Sequence, residues 1–240
     1  MTATAPSFPP LLTGRAVRED AFGTAIAMAR EGVDGGTVVY VEAPDALEAA
    51  IVFAPEVPLS QAAQMLVVCG TGFANALGVL APPRVALHLE WNGTIRVNGG
   101  RCGRLRMAAS TSDPGAVPDW LVVGLDLRFV PPPLAPGETP DETGLYAEGC
   151  GDLDPPRLLE SWTRHMLVWL NRWEEEGPKP LHAEWIGTLY GRGEETTQTL
   201  EGRAVSGTLL GTDDAFGLLL RTADGTKLIP LTELLERQTP

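Results

Sequence analysis

Positive charge is scarce in this chain of 240 residues: 18 lysines and arginines face 31 aspartates and glutamates, a formal net charge of −13. A surface that repels polyanions is a poor match for nucleic acid or an acidic membrane, so neither is expected as a partner. Cysteine is scarce as well. Cys69, Cys102 and Cys150 are the three present, an odd number with no metal-type spacing to histidine, so neither a disulfide framework nor a metal site is expected. The N-terminus, MTATAPSFPPLLTGRAVRED, lacks the charged-then-apolar pattern of a secretion signal. Together with the unpaired cysteines, this makes the cytoplasm the expected location. One long stretch without charge, residues 57–83, contains Ser60, Gln61, Gln64, Asn75 and several glycines, which suit a buried core helix better than a lipid-facing one.

What is present is an ordinary globular composition, 44% hydrophobic and 20% charged, organised in recognisable periods. Residues 1–18 are rich in proline and threonine and read as an extended strap. A helix over 20–31 closes at Gly32, and strands follow over 37–42 and 49–53. In 59–80, Met65, Cys69, Phe73 and Leu77 recur every four residues, one face of a helix. The period then changes to two: Val85, Leu87 and Leu89 alternate with Ala86, His88 and Glu90. Asn98-Gly99 is a tight-turn dipeptide, so strands over 95–97 and 101–109 form a hairpin. A buried strand is expected over 120–129 and a proline-rich loop over 131–140. Residues 155–176 form the clearest helix, with Asp154 as cap and Pro155 in the first turn, where its missing N–H costs nothing. A short helix is expected over 181–186. The polar run 191–199 reads as the domain boundary, and strands over 203–210, 216–221 and 226–230 follow it. No internal repeat is visible.

In that order these elements resemble biotin/lipoate protein ligases. LHLEWNGTIRVNGGRCGRL is similar to that family's Lys-Trp-Pro-Asn-Asp turn, hairpin and following Ala-Gly-Ile-Leu strand. LVVGLDLRF resembles its Val-Gly-x-Gly-x-Asn strand, LLESWTRHMLVWLNRWEEEGPKPLHAEW its long helix and bend, and GTLLGTDDAFGLLLRTADG its SH3-like end module. The resemblance implies an α+β fold: an N-terminal extended segment (1–18), a mixed sheet with flanking helices (19–192), and a small SH3-like β barrel (200–240).

Members of the family convert a carboxylic acid to an acyl-adenylate with ATP and pass the acyl group to a lysine of a carrier domain. The developing phosphate charge demands cations, which the family supplies from a Gly/Arg-rich loop and lysines. Here Glu42 leads through Ala43-Pro44-Asp45 directly into the next strand, with no Gly/Arg loop. Glu90 stands where the family has lysine before the tryptophan, and Asn92-Gly93-Thr94 replaces Pro-Asn-Asp. The active-site lysine position falls on Arg101, or on Gly100 if the strand slides by one residue; the asparagine of the later strand falls on Arg128.

Two readings follow. One is a diverged enzyme that transfers an acyl or biotinyl-type group to a carrier without the usual ATP-phosphate-binding residues. The other is a non-catalytic relative that binds a small carboxylate or a carrier domain. Arg101 is the candidate for catalysis. Trp91, Asn92, Arg104, Arg128 and His88 are the candidates for ligand binding, with Arg106 beside them, because guanidinium grips carboxylates in bidentate fashion. The competing explanation of these arginines is ion pairing with Glu90 and Asp126. His165 and His182 read as structural. Cys102 and Cys150 invite comparison with the cysteine-dependent octanoyltransferases of the same superfamily, but lack their surrounding motif and read as buried thiols. No cofactor is identified by these residues.

Overall fold

Hydrophobic periodicity resolves into two sheets. The computed structural model describes residues 5–131, 141–200 and 203–236. The larger sheet has seven strands in the order β1-β2-β3-β7-β6-β5-β4, built from Thr13–Val17 (β1), Thr37–Val41 (β2), Ala46–Phe53 (β3), Leu87–Leu89 (β4), Thr94–Val97 (β5), Gly100–Ala109 (β6) and Leu121–Arg128 (β7). β1 runs parallel to β2, and the remaining neighbours are antiparallel. The smaller sheet is antiparallel, of four strands in the order β11-β10-β9-β8, from Glu195–Leu200 (β8), Arg203–Thr212 (β9), Leu218–Thr222 (β10) and Gly225–Ile229 (β11). This is the expected α+β architecture: a ligase-like mixed sheet with helices on its faces, then a small SH3-like sheet.

Alternation along the strands separates two cores. Leu47, Ala49 and Ile51 of β3, with Leu105 and Met107 of β6, face a helical layer; Ala50, Val52, Ala108 and Val122 face α1 (Ala21–Arg30). The helical layer contains α2 (Leu59–Ala62), α3 (Met65–Leu80), α4 (Pro155–Glu176) and α5 (Pro178–Thr188). Asp154 caps α4 by accepting from the Arg157 N–H at 2.9 Å, and Gly177 ends it at φ 77°. The tryptophan stripe packs α4 on α3, and every indole N–H in it is satisfied. Trp162 donates to the Cys69 carbonyl at 2.9 Å, Trp169 to Asn75 Oδ1 at 2.7 Å and Trp173 to Gln64 Oε1 at 2.7 Å. Gly72 of α3 faces the Met166 backbone so closely that a Cβ there would lie 2.8 Å from Met166 Cα.

Three expectations are corrected in detail. The N-terminal strap contains β1, whose polar TGRAV shows little strand periodicity and is ordered by pairing with β2. The helix over 59–80 is broken between Ala62 and Met65, where the buried Gln64 accepts the Trp173 bond. The polar run 191–199 is already strand from Glu195, and its hydroxyls and carboxylate pair across to β9: Thr197 with Ser206 at 2.8 Å, and Thr208 Oγ1 donating to Glu195 at 2.7 Å. The 131–140 loop falls, beyond Pro131, outside the described residues, as do 237–240. Leu59–Leu80 is long and apolar enough to cross a membrane, but 72% of its most apolar window is buried within the protein.

Candidate functional site

α1 covers only part of its face of the large sheet, and the uncovered part collects the charged residues of β4 to β7. Even-numbered positions of β7 turn toward α1, so Asp126 and Arg128 follow Val122 onto that face. In β6 the same alternation brings Arg104 and Arg106 beside Ala108, and the Arg106 guanidinium sits 4.2 Å from the Phe22 ring centre. A bulge opens where Ile95 pairs with Gly103 but Arg96 pairs with Arg101, leaving Cys102 unpaired in the ladder. This extra residue buries Cys102 while the neighbouring Arg101 stays exposed.

The turn ahead of β5 depends on Gly93. Its φ is +91°, and a Cβ there would meet the Leu105 carbonyl at 2.2 Å, so side chains are doubly unfavourable. Asn92 shapes the same turn by accepting from the Thr94 N–H at 3.1 Å and is exposed. Trp91 is buried, with its indole N–H donated at 2.9 Å to the Phe216 carbonyl in the β9–β10 connection. His88 stands opposite Arg96 and meets Tyr190 edge-on at 5.8 Å between ring centres; its Nδ1 is buried without a hydrogen-bond partner.

Every arginine that β5, β6 and β7 place on this face is answered by a carboxylate of the chain. Arg128 holds Glu142 at 2.6 Å, and Arg104 holds Asp126 at 3.3 Å. Arg106 shares Asp126 at 3.2 Å and reaches Glu236 at 3.7 Å. Its Nε–H points off line from Asp126, so that contact is an ion pair without being a hydrogen bond. Arg101 has the loosest arrangement: its guanidinium is 3.9 Å from Asp141, and its side chain is 46% exposed. Glu90, on the position of a family lysine, is bound by Arg96 at 2.5 Å, and Arg96 also lies over the Tyr190 ring at 4.6 Å.

The surplus on this face is negative. Glu48 sits across the ladder from Asp126, and its carboxyl is raised above the ordinary range by burial first, then by Asp126 and Asp20, with Arg106 opposing. Neither of the chain's lysines, Lys179 in α5 and Lys227 in β11, lies on these strands. The thiols offer no nucleophile. Burial pushes Cys102 from 9.0 up to about 12 and raises Cys69 and Cys150 as well.

Sequence reasoning placed Arg101, Arg104, Arg106, Arg128 and Asp126 in one neighbourhood, and they share a sheet face. It assigned Glu90 as a partner for those arginines, whereas Arg96 takes it; Asp141, Glu142 and Glu236 were not anticipated. Arg96 carried a readable signal, since it occupies the strand position cross-paired with His88. The 141–142 contact carried none, because it arises from chain return: Arg101 N–H donates to the Asp141 carbonyl at 2.6 Å, and the Thr143 N–H donates to the Arg101 carbonyl at 2.9 Å.

Comparison with known proteins adds to this geometry. The model of the biotin/lipoate A/B protein ligase family matches residues 8–187, and that of a domain family of unknown function matches 192–237. A biotin–[acetyl-CoA-carboxylase] ligase of Paracoccus denitrificans is 26% identical over 186 residues, 77% of each chain. The crystal structure of a biotin protein ligase-like protein of unknown function from a Silicibacter species is 57% identical. It superposes with a TM-score of 0.90 over 97% of this chain and 100% of that one. The biotin protein ligase of Aquifex aeolicus shares the fold at 20% identity, with a TM-score of 0.74 over 93% of this chain and 96% of its own.

Proposed function

We propose, from the premise that this chain belongs to the biotin/lipoate A/B protein ligase family, that it recognises the carboxylate of a small acyl or biotinyl-type group on the open sheet face and handles that group without activating it through ATP. The observation that carries this reading is the pairing of Arg96, Arg104, Arg106 and Arg128 with Glu90, Asp126 and Glu142, while Arg101 is only loosely engaged by Asp141. A triphosphate needs several uncommitted cations, because its charge must be stabilised in both ground and transition states. One carboxylate needs a single guanidinium with two donors free, and a half-exposed Arg101 offers that. In this reading Arg101 receives the carboxylate, Arg128 and Arg104 flank it, His88 stands by as a proton acceptor, and Trp91 and Asn92 hold the turn that frames the site. For transfer the group would arrive as an acyl-adenylate, whose phosphate takes the place of the free carboxylate on Arg101. The amine of a carrier lysine would attack the acyl carbon, AMP would leave, and the amine's proton would pass to His88.

A second reading, binding without transfer, is favoured by the absence of a reactive thiol and by the negative surplus around Glu48. The experiment combines two measurements on the full chain. Pyrophosphate exchange into ATP with biotin, lipoate or octanoate should stay at background. Supplying a chemically made acyl-adenylate and a biotinyl or lipoyl carrier domain should give an acylated carrier by mass spectrometry. Robust exchange sinks the proposal, and no acylated carrier above the enzyme-free rate leaves the binding-only reading in its place.

A further inference from the structure

The opposite face of the large sheet carries a cavity of about 570 Å³, and none of the candidate-site residues discussed above lines it. It lies where Leu11 and Leu12 of the N-terminal segment, the β3–α2 connection, the start of α3 and the last turns of α4 converge. That volume is within the range of about 300–1,000 Å³ usual for small-ligand pockets. The walls are mainly aliphatic, with Phe53, Met65, Leu170 and the indole of Trp173 among them. Leu11 at its edge is 71% exposed, an expense of apolar surface that a bound apolar body would relieve.

Its charge is what narrows the ligand. Glu56 and Glu174 both line the cavity, are exposed, and make no ion pair or hydrogen bond among the described residues. No lysine, arginine or histidine is among the lining residues, and Lys179, which follows the lining Pro178, makes no ion pair among the described residues. In a protein of net charge −13, two unanswered carboxylates at an apolar opening repel fatty acids and every carboxylate of the biotin or lipoate type. They attract a cation. The Trp173 indole, held by its bond to Gln64 at 2.7 Å, adds an aromatic wall of the kind that binds ammonium groups.

We infer that this cavity is a second binding site, distinct from the arginine-bearing face, for a small amphiphilic cation: an aliphatic body in the groove with an ammonium group between Glu56 and Glu174. The inference does not depend on the proposed function, because no residue is shared between the two sites.

Three probes of equal length, octylammonium, octanol and octanoate, separate the contributions when titrated calorimetrically into the full chain below their micellar concentrations. Octylammonium should bind at one site, roughly tenfold more tightly than octanol, the scale of one desolvated cation contact with an aromatic and a carboxylate. Octanoate, which the arginine-bearing face is proposed to take, is therefore read by competition: it should displace octylammonium from the cavity less well than octanol does. In the Glu56→Gln/Glu174→Gln double variant, melting measurements should show an intact fold, octanol binding should persist, and the advantage of the cation should vanish. Should that variant fold poorly, Glu174→Gln alone is expected to reduce the same advantage by roughly threefold, half of the effect on a free-energy scale. The inference is overturned if octanoate displaces octylammonium as well as octanol does, if none of the probes binds at millimolar concentration, or if the cation preference survives loss of both carboxylates.

Discussion

Arg128 illustrates how a candidate ligand residue can be both plausible and already occupied. Its guanidinium is 49% exposed and paired with Glu142 at 2.6 Å, so the question of an unpaired buried cation does not arise. An exposed ion pair contributes about 0–1 kcal/mol, and Arg128→Asn should therefore lower stability by less than about 1 kcal/mol. If the open face binds carboxylates, the same substitution should weaken octanoate or biotin binding there by about 1.5–3 kcal/mol, the loss of a charged hydrogen bond. Affinity equal to the parent's would remove Arg128 from the site. Cys102 makes the contrary point about reactivity. Held at about 12 by burial, its thiol stays protonated at pH 8, so thiol reagents should label the folded chain far more slowly than the denatured one. The sign of its pH linkage follows from the same shift. Between 9.0 and about 12 the unfolded thiol is ionised and the folded one is not, so Cys102 favours unfolding increasingly as pH rises through that window. Melting temperatures of the parent and Cys102→Ala should converge, or invert, between pH 8 and 10.5; a constant difference would contradict a raised thiol. At this scale the identities of the charged residues were legible from sequence, but their pairing was not. Glu90 looked like a partner for the β6 arginines because it precedes the tryptophan, yet the hairpin register hands it to Arg96.

Among the elements, α3 and α4 show the tightest match of sequence to packing. Gly72 in α3 is unfavourable for helix propensity by about 1 kcal/mol relative to alanine, so Gly72→Ala would stabilise an isolated helix. Here the added Cβ would meet Met166 Cα at 2.8 Å, and backbone cannot yield as a flexible side chain does. Overpacking of this kind costs about 1–3 kcal/mol, so the net effect of Gly72→Ala should be destabilising, read as a lower denaturation midpoint. A raised midpoint would mean that the helices separate at little cost. The long amphipathic α4 was legible end to end because its cap, first-turn proline, tryptophan stripe and terminal glycine agree with one another. β1 and β8 were not, for a shared reason. Both are edge strands of polar composition, TGRAV and ETTQTL, whose order comes from the neighbouring strand rather than from their own periodicity. The Asn98-Gly99 turn was readable because it needs positive φ at both residues, and they adopt 50° and 90°.

For the molecule as a whole, the small sheet is the informative test, since sequence divides it from the rest while packing joins it. Leu209, Phe216, Leu218, Leu220, Ile229 and Leu231 belong to the same buried cluster as the helical layer of the large sheet. Backbone bonds cross over too. The Glu236 N–H donates to the Met107 carbonyl at 2.8 Å, and Leu235 bridges to Met107, so residues 235–236 return to β6. Each fully buried large apolar side chain contributes about 1.5–3 kcal/mol, and a few of them match the whole margin of about 5–15 kcal/mol by which a domain is stable. Removing residues 200–240 should therefore leave the remainder insoluble or with a much lower melting temperature. A subtler probe keeps the module and cuts one link. Trp91→Phe preserves most of the buried ring but removes the N–H that satisfies the Phe216 carbonyl, which then stays buried without its donor. The cost should be about 1–3 kcal/mol, with a single cooperative transition retained because both sheets share one core. If thermal unfolding of Trp91→Phe splits into two transitions, or if the truncated chain melts cooperatively at the parent's temperature, the two sheets are independent units and Trp91 is not the joint between them.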